Sequence, residues 1–207
     1  MKRSTRGAWV LGGVLLTASV SLVGLEAVGT WSATEPGGSR TLLEISDLAG
    51  FLAFLGAIAG TALGLFFFLV KATRLYGTVL VATCAFHLAA LSFAGAWIHD
   101  WWRARVENRL AQAQPVISAI TRFTRIEGHP PDSLRDLVPL YLAALPSTGM
   151  GGYPEFEYER DDQFDWRLRI DVSVGFAVWS YLEYNPRGRY PARSSTRLGG
   201  WAHVYLD

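Results

Sequence analysis

The sequence has a single cysteine, Cys84, set inside an apolar run. One cysteine excludes an intramolecular disulfide framework and a cysteine-based zinc site. Lysine is nearly as scarce: after Lys2 and Lys71 there is none. The residues beyond His99 carry 13 Arg against 14 Asp plus Glu. A near-neutral balance with no concentrated basic face argues against a nucleic-acid partner. Catalytic signatures are missing as well. There is no Gly-x-Ser-x-Gly, no phosphate-binding loop, no His-Glu-x-x-His and no dinucleotide fingerprint. Neither catalysis nor a cofactor is expected.

What is abundant is apolar sequence. Half of the 207 residues are hydrophobic, and the charges thin out sharply on the N-terminal side of His99. The expected organisation is a membrane part over residues 1–98 and a folded domain over residues 99–207, long enough to fold alone. A hydrocarbon core about 30 Å thick needs roughly 20 apolar residues in a helix. Three segments meet that length, at about 8–28, 48–70 and 75–98. The first has a basic start but a long apolar stretch, and Leu25-Glu26-Ala27 is a poor cleavage site, so it reads as an uncleaved anchor.

Basic residues set the expected orientation. Lys2, Arg3 and Arg6 precede the first segment, and Lys71 and Arg74 lie between the second and third. The loop 30–47 carries Glu35, Glu44 and Asp47 against Arg40 alone. The positive-inside rule then puts the N-terminus in the cytoplasm and everything after Ile98 outside it. Trp9, Trp31, Trp97, Trp101 and Trp102 fall near the expected boundaries, as interfacial aromatics do.

Beyond Asp100 the helical period persists. Val106, Leu110, Ala113, Ile117, Ile120 and Phe123 recur at three- and four-residue steps, so the third segment is expected to run on as one long helix to Gly128. Pro115 is expected to kink it. A second, short helix is expected from Ser133, with Asp136 at near capping-box spacing and Leu134, Leu137, Val138, Tyr141, Leu142 and Leu145 as its apolar stripe. Strands are expected at Tyr153–Arg160, at Phe164–Val172 with strict alternation, at Ala177–Tyr184 and at Trp201–Leu206, with Asp161-Asp162-Gln163 as a hairpin turn. The fold class is an α+β membrane protein: three transmembrane helices, the third continuing into a long helix packed on a small antiparallel sheet.

That layout, with the stretch Gly128-His129-Pro130-Pro131-Asp132-Ser133-Leu134 through Leu137-Val138-Pro139 to Tyr141-Leu142 and Leu145-Pro146, resembles the pseudopilins of type II secretion systems. The similarity covers about Leu75 to the C-terminus. It implies a bacterial envelope protein with a pilin-like α+β domain, in the cytoplasmic membrane and with the domain periplasmic or extracellular. Two features depart from the family. No prepilin leader with a Phe-Thr-Leu-Ile-Glu-like start opens the third segment, which begins Arg74-Leu75-Tyr76-Gly77, and two apolar segments precede it. The expectation is therefore a pilin-like domain reused on a fixed membrane anchor.

Residues that bear chemistry are few. His87 is the one ionisable group well inside an apolar segment, a position that suggests function by default, although packing or a hydrogen bond to another helix explains a neutral histidine. Cys84 lies one turn away. Gly56, Gly60 and Gly64 form a small-residue ridge for helix packing, within the chain or between copies through the second span. His99 and Asp100 share a boundary without further ligands. Asp161, Asp162 and Asp165 are weak calcium candidates, since some pseudopilins bind calcium on a loop, but no EF-hand spacing is present. Glu155, Glu157 and Glu159 read as a solvated face able to meet Arg187, Arg189, Arg193 and Arg197. Tyr181, Tyr184, Tyr190 and Trp201 are candidate partner contacts. The expected function is a membrane-anchored envelope protein that presents its domain for protein–protein interaction. The alternatives are a transporter or sensor component resting on His87, and an extracytoplasmic hydrolase needing His129 or His203 among carboxylates or serines.

Overall fold

The computed structural model describes residues 2–162, 165–173, 179–190 and 195–206; the side chains of residues 2–5, 161, 162 and 165 lie outside the description. The chain divides into two compact units, Met1–Thr30 with Leu42–Asp100, and Trp31–Thr41 with Trp101–Asp207. The segment Trp31–Thr41 thus groups with the C-terminal residues.

The first unit is helical. Helix α1 spans Lys2–Thr34, α2 spans Thr41–Leu69 and α3 spans Arg74–Leu110. All three are long and apolar enough to cross a membrane. Their surfaces carry large apolar side chains that are left open, such as Trp9, Val20, Phe66 and Phe93, the pattern of helices whose solvent is hydrocarbon. Their contacts run through small residues. A Cβ on Gly60 would meet Cys84 Sγ at 2.8 Å, and one on Gly64 would meet Val81 Cγ2 at 2.8 Å. Gly77 on α3 is tighter still, since a Cβ there would meet the Gly64 carbonyl oxygen at 2.5 Å. Helix α1 uses the same device at Gly29, where a Cβ would stand 2.9 Å from Leu43 Cα.

In the second unit the helix runs on. Helix α3 gives way to a 3-10 turn over Ala111–Ala113, and α4 follows over Gln114–Glu127. Pro115 occupies the first turn of α4, where its missing N–H costs no helical bond. The expected kink is therefore absorbed as a 3-10 turn. Gly128 closes α4 at φ 80°, with its N–H donating to the Thr124 carbonyl at 3.0 Å.

The sheet has five antiparallel strands, β1 Glu157–Asp162, β2 Asp165–Asp171, β3 Trp179–Tyr184, β4 Ser195–Leu198 and β5 Trp201–Leu206, in the order β1-β2-β3-β5-β4. Trp166, Leu168, Ile170 and Val172 are all buried, as their alternation requires. Phe164, Gln163, Ala177 and Val178 lie outside the described residues. The helix lays Val106, Leu110, Val116, Ile117 and Ile120 into the same core, each buried and each contributing about 1.5–3 kcal/mol as apolar burial. Trp102 stacks on His203 at 5.0 Å between centroids, and so brings the helix against β5.

Three expectations need correction. The helix after Ser133 is one 3-10 turn, Leu134–Leu137. Its capping box forms, with the Ser133 N–H donating to Asp136 Oδ2 at 2.8 Å. Pro139 then holds Val138 in extended backbone, φ −101° and ψ 135°, and stops the helix. The Val138–Pro139 bond is cis. Of the expected stripe only Leu137 is buried, while Leu140, on the turn that follows, is 83% exposed. The first strand begins at Glu157, after the irregular segment 153–156, and runs through Asp162, so Asp161 and Asp162, expected in the hairpin turn, are strand residues. A strand absent from the expectation, β4, pairs with β5 through a two-residue turn with Gly199 at φ 59°.

Candidate functional site

His87 is buried on α3, with Nδ1 2.7 Å from Ser19 Oγ on α1. The Ser19 hydroxyl also lies 2.9 Å from the Leu15 carbonyl. Nε2 is buried and without a hydrogen-bond partner. A cavity of about 270 Å³ lies beside this pair, lined by Ser19, Ala57, Gly60, Thr83, Cys84 and His87. Nε2 is sealed from it. The arrangement is a helix-to-helix hydrogen bond beside a mostly apolar void. Gly60 and Gly64 face α3 of the same chain, whereas Gly56 has nothing within 4 Å of an added Cβ and borders this cavity.

The outer face of the sheet is charged but internally matched. Arg169 on β2 donates to Glu183 Oε2 at 2.8 Å and pairs with Glu159 at 2.7 Å. Its guanidinium also lies 4.7 Å from the Tyr181 ring centroid. Burial works against the charge on Arg169, but the hydrogen bond and charge of Glu183, then the charge of Glu159, hold its pKa above the ordinary value. The acidic strand therefore meets Arg169 on its neighbour. Arg197, expected to face it, donates to the Gly188 carbonyl at 2.9 Å and covers the Tyr190 ring. Asp161, Asp162 and Asp165 have side chains outside the description. Among the described residues no group of three or more His, Cys, Asp or Glu could hold a metal ion.

The aromatic candidates also turn inward. Tyr158, Trp166, Tyr184 and Trp201 form a row across four strands, with successive centroids 6.3, 5.6 and 5.6 Å apart. Tyr190 donates to the Gly200 carbonyl at 2.9 Å and accepts from the Asn185 N–H at 3.0 Å. Tyr184, Tyr190 and Trp201 are thus structural, and Tyr181 sits beneath Arg169.

Two clusters were not legible as sites in the sequence. Glu35, just past α1, pairs with Arg105 and with Arg109, the latter at 3.1 Å. Its carbonyl accepts from the Gly151 N–H at 2.8 Å, and the Ala33 carbonyl accepts from Gly152 at 2.9 Å. Arg40 pairs with Asp171 at 3.5 Å and donates to the Ser173 carbonyl. Burial raises the Asp171 carboxyl pKa, but hydrogen bonds from Ser173 together with the Arg40 charge bring it below the usual range. A charged loop facing arginines on the long helix was the available signal.

The open surface lies beside the Pro130-Pro131 turn. Tyr158 donates to the Pro131 carbonyl at 2.7 Å, and Arg160 pairs with Asp132. Burial of Tyr158, reinforced by Asp132 and Asp136 against the opposing charge of Arg160, pushes its hydroxyl up to about 12. These bonds hold one wall of a groove of about 750 Å³. Val116, Leu145 and Phe156 supply its apolar lining, and Asp132, Arg135 and Glu155 supply charges of both signs. Ser133 is committed to Asp136 and Asp132 to Arg160. His129 bonds the Pro130 carbonyl, and His203 stacks between Trp102 and Tyr205.

No protein family, no curated protein and no solved structure matches the chain. The functional reading rests on the residues themselves.

Proposed function

We propose that this is a multi-pass protein of a bacterial cytoplasmic membrane that holds a pilin-like α+β domain outside the cytoplasm to bind protein partners, without catalysis. The observation that carries the reading is the groove beside the Pro130-Pro131 turn. A mixed lining, with apolar Leu145 and Phe156 beside Asp132, Arg135 and Glu155, suits a peptide segment or an extended loop. Leu145 in its wall and Leu140 on the neighbouring turn are exposed apolar side chains, the kind that partner surfaces cover. The continuous helix from Arg74 to Leu110 supports a domain built directly on its span. The basic residues before α1 and between α2 and α3 support the orientation. The likeness to pseudopilins belongs to this proposal.

The test combines topology and contact. A phosphatase active only outside the cytoplasm, fused after residue 207, should be active. Photocrosslinkers placed at Leu140 and Leu145 in intact cells should capture the same envelope protein, and Arg135→Glu should weaken capture from both. An inactive fusion would reverse the orientation. Absence of an adduct from either position would end the interaction reading. The alternative of a transporter or sensor component rests on His87 alone, and an unchanged phenotype in His87→Leu would remove it.

A further inference from the structure

Strand β1 stands at one edge of the sheet and pairs with β2 alone. In an antiparallel pair every second residue turns its N–H and C=O away from the neighbouring strand. Glu157, Tyr158, Glu159 and Arg160 make no backbone hydrogen bond outside that pairing among the described residues. The outward groups of β1 are therefore a row of donors and acceptors spaced for another strand. Such an edge is ordinarily interrupted by a bulge or guarded by charge. Here the register shifts between Arg160 and Asp162, which leaves 157–160 regular.

The same residues border the groove of the second unit. Phe156 and Tyr158 line it together with Leu145 and Glu155. Tyr158 and Arg160 reach the Pro131 carbonyl and Asp132 through their side chains, so neither bond occupies the β1 backbone. Charge then selects among occupants. Glu155, Glu157 and Glu159 are all exposed. Glu159 is answered by Arg169, whereas Glu155 and Glu157 make no ion pair among the described residues. Like charges directly opposite across two strands are destabilising, and opposite charges are favourable. A second copy of β1, laid alongside with its acidic face on the same side, would set glutamate against glutamate. A segment with lysine or arginine at alternate positions would set a cation against both open carboxylates.

We propose that the open edge of β1 takes an extended, basic segment of a partner protein as an added strand, with alternate side chains of that segment entering the groove. Main-chain hydrogen bonds to β1 supply affinity, and the groove with Glu155 and Glu157 supplies selectivity. The proposal deepens the reading of the groove as a peptide site and rests on it, so the experiment separates the two.

The full chain in zwitterionic lipid nanodiscs is titrated with fluorescent nonapeptides, and empty nanodiscs serve as the blank. One peptide alternates lysine with valine, and a second alternates glutamate with valine. Two more are the lysine peptide N-methylated at every valine or at every lysine, which removes the N–H groups from one strand edge or from the other. The lysine peptide should bind at least tenfold more tightly than the glutamate peptide. One of the two methylated forms should lose at least tenfold in affinity while the other binds like its parent. Glu155→Lys combined with Glu157→Lys, both at exposed positions, should invert the preference between lysine and glutamate. If both methylated forms bind like the parent, the peptide sits in the groove without joining the sheet: the strand is overturned and the groove reading stands. Equal binding of the lysine and glutamate peptides overturns the choice of a basic partner. If no peptide binds, the inference fails, and adducts from Leu140 and Leu145, which do not depend on the β1 edge, decide the groove reading separately. Disulfide-linked dimers of a Glu157→Cys chain in a Cys84→Ala background would name a second copy as the occupant and also overturn it.

Discussion

Arg109 donates to the Glu35 carboxylate at 3.1 Å and so fastens the loop between α1 and α2 to the helix that carries the core of the second unit. Arg105 takes the other carboxylate oxygen and also donates to Thr34 Oγ1 at 3.3 Å. The two arginines are one helical turn apart, so a single carboxylate can serve both. All three side chains are about three-quarters buried, enough to lift the pair above an exposed surface bridge.

Glu35→Ala should therefore cost the second unit about 1–2 kcal/mol, because it leaves two largely buried guanidinium groups without their carboxylate. Thermal unfolding of the full chain in detergent would show a Tm lower by several degrees. Glu35→Ala with Arg109→Ala should cost less than the sum of the single changes. Strict additivity would mean that the pair does not hold the loop.

The Arg169–Glu183 pair differs because its acid is almost fully buried, with a side chain 4% exposed. Removing the arginine strands a carboxylate in a low-dielectric site. Arg169→Met should cost about 3–5 kcal/mol. Arg169→Met combined with Glu183→Leu should recover most of that loss, since no buried charge is left unmatched. Denaturant unfolding of the three variants decides the point. A double variant as unstable as Arg169→Met alone would show that packing around Tyr181, rather than charge, sets the cost.

Much of this is legible in the sequence. The strand from Asp165 to Asp171 announces itself because Trp166, Leu168 and Ile170 alternate with charged residues, and one buried face enforces period two. The long helix is legible because its apolar stripe continues past the long apolar segment. The failures share a cause. The stripe from Leu134 to Leu145 has helical spacing, but Pro139 overrides it, and local backbone geometry outranks periodicity over so short a segment. Strand β4 is four residues, Ser195 to Leu198, at a sheet edge with polar side chains, so it has no hydrophobic signature, and only Gly199-Gly200 marked its hairpin. The partner of the Glu157–Glu159 strand was sought in distant arginines, whereas the register places Arg169 and Arg167 directly across. Glu35 could not be matched with Arg105 and Arg109 from sequence, because that pairing depends on where a loop of six residues returns.

Asp171 supplies a pH-dependent contribution with a definite sign. Its folded pKa is depressed, so its stabilisation is present above the unfolded value, about 4, and is lost as pH falls through the folded one. The stability gap between the unmodified protein and Asp171→Asn should be constant from pH 7 to about 5 and close as the pH drops below about 4. Arg40→Gln should shrink the gap at pH 7 as well. A gap that persists unchanged at low pH would show that the Asp171 carboxylate does not bind Arg40 and Ser173 in solution.

The Ser19–His87 bond can be tested within the helical unit. Ser19→Ala removes the side-chain hydrogen-bond partner of His87 Nδ1. Interhelical bonds of this type are worth about 0.6 kcal/mol on average and up to about 2. Ser19→Ala and His87→Leu should each lower the detergent unfolding temperature, and the double variant should lose less than their sum. The choice of leucine also fills space beside the cavity, so His87→Leu could offset part of its own cost by packing. His87→Gln keeps a donor within reach of Ser19 and separates the two effects: it should retain coupling to Ser19→Ala, whereas His87→Leu should not. Equal coupling for both replacements would assign the residue to shape alone and leave α1 held to α3 only by its glycine contacts.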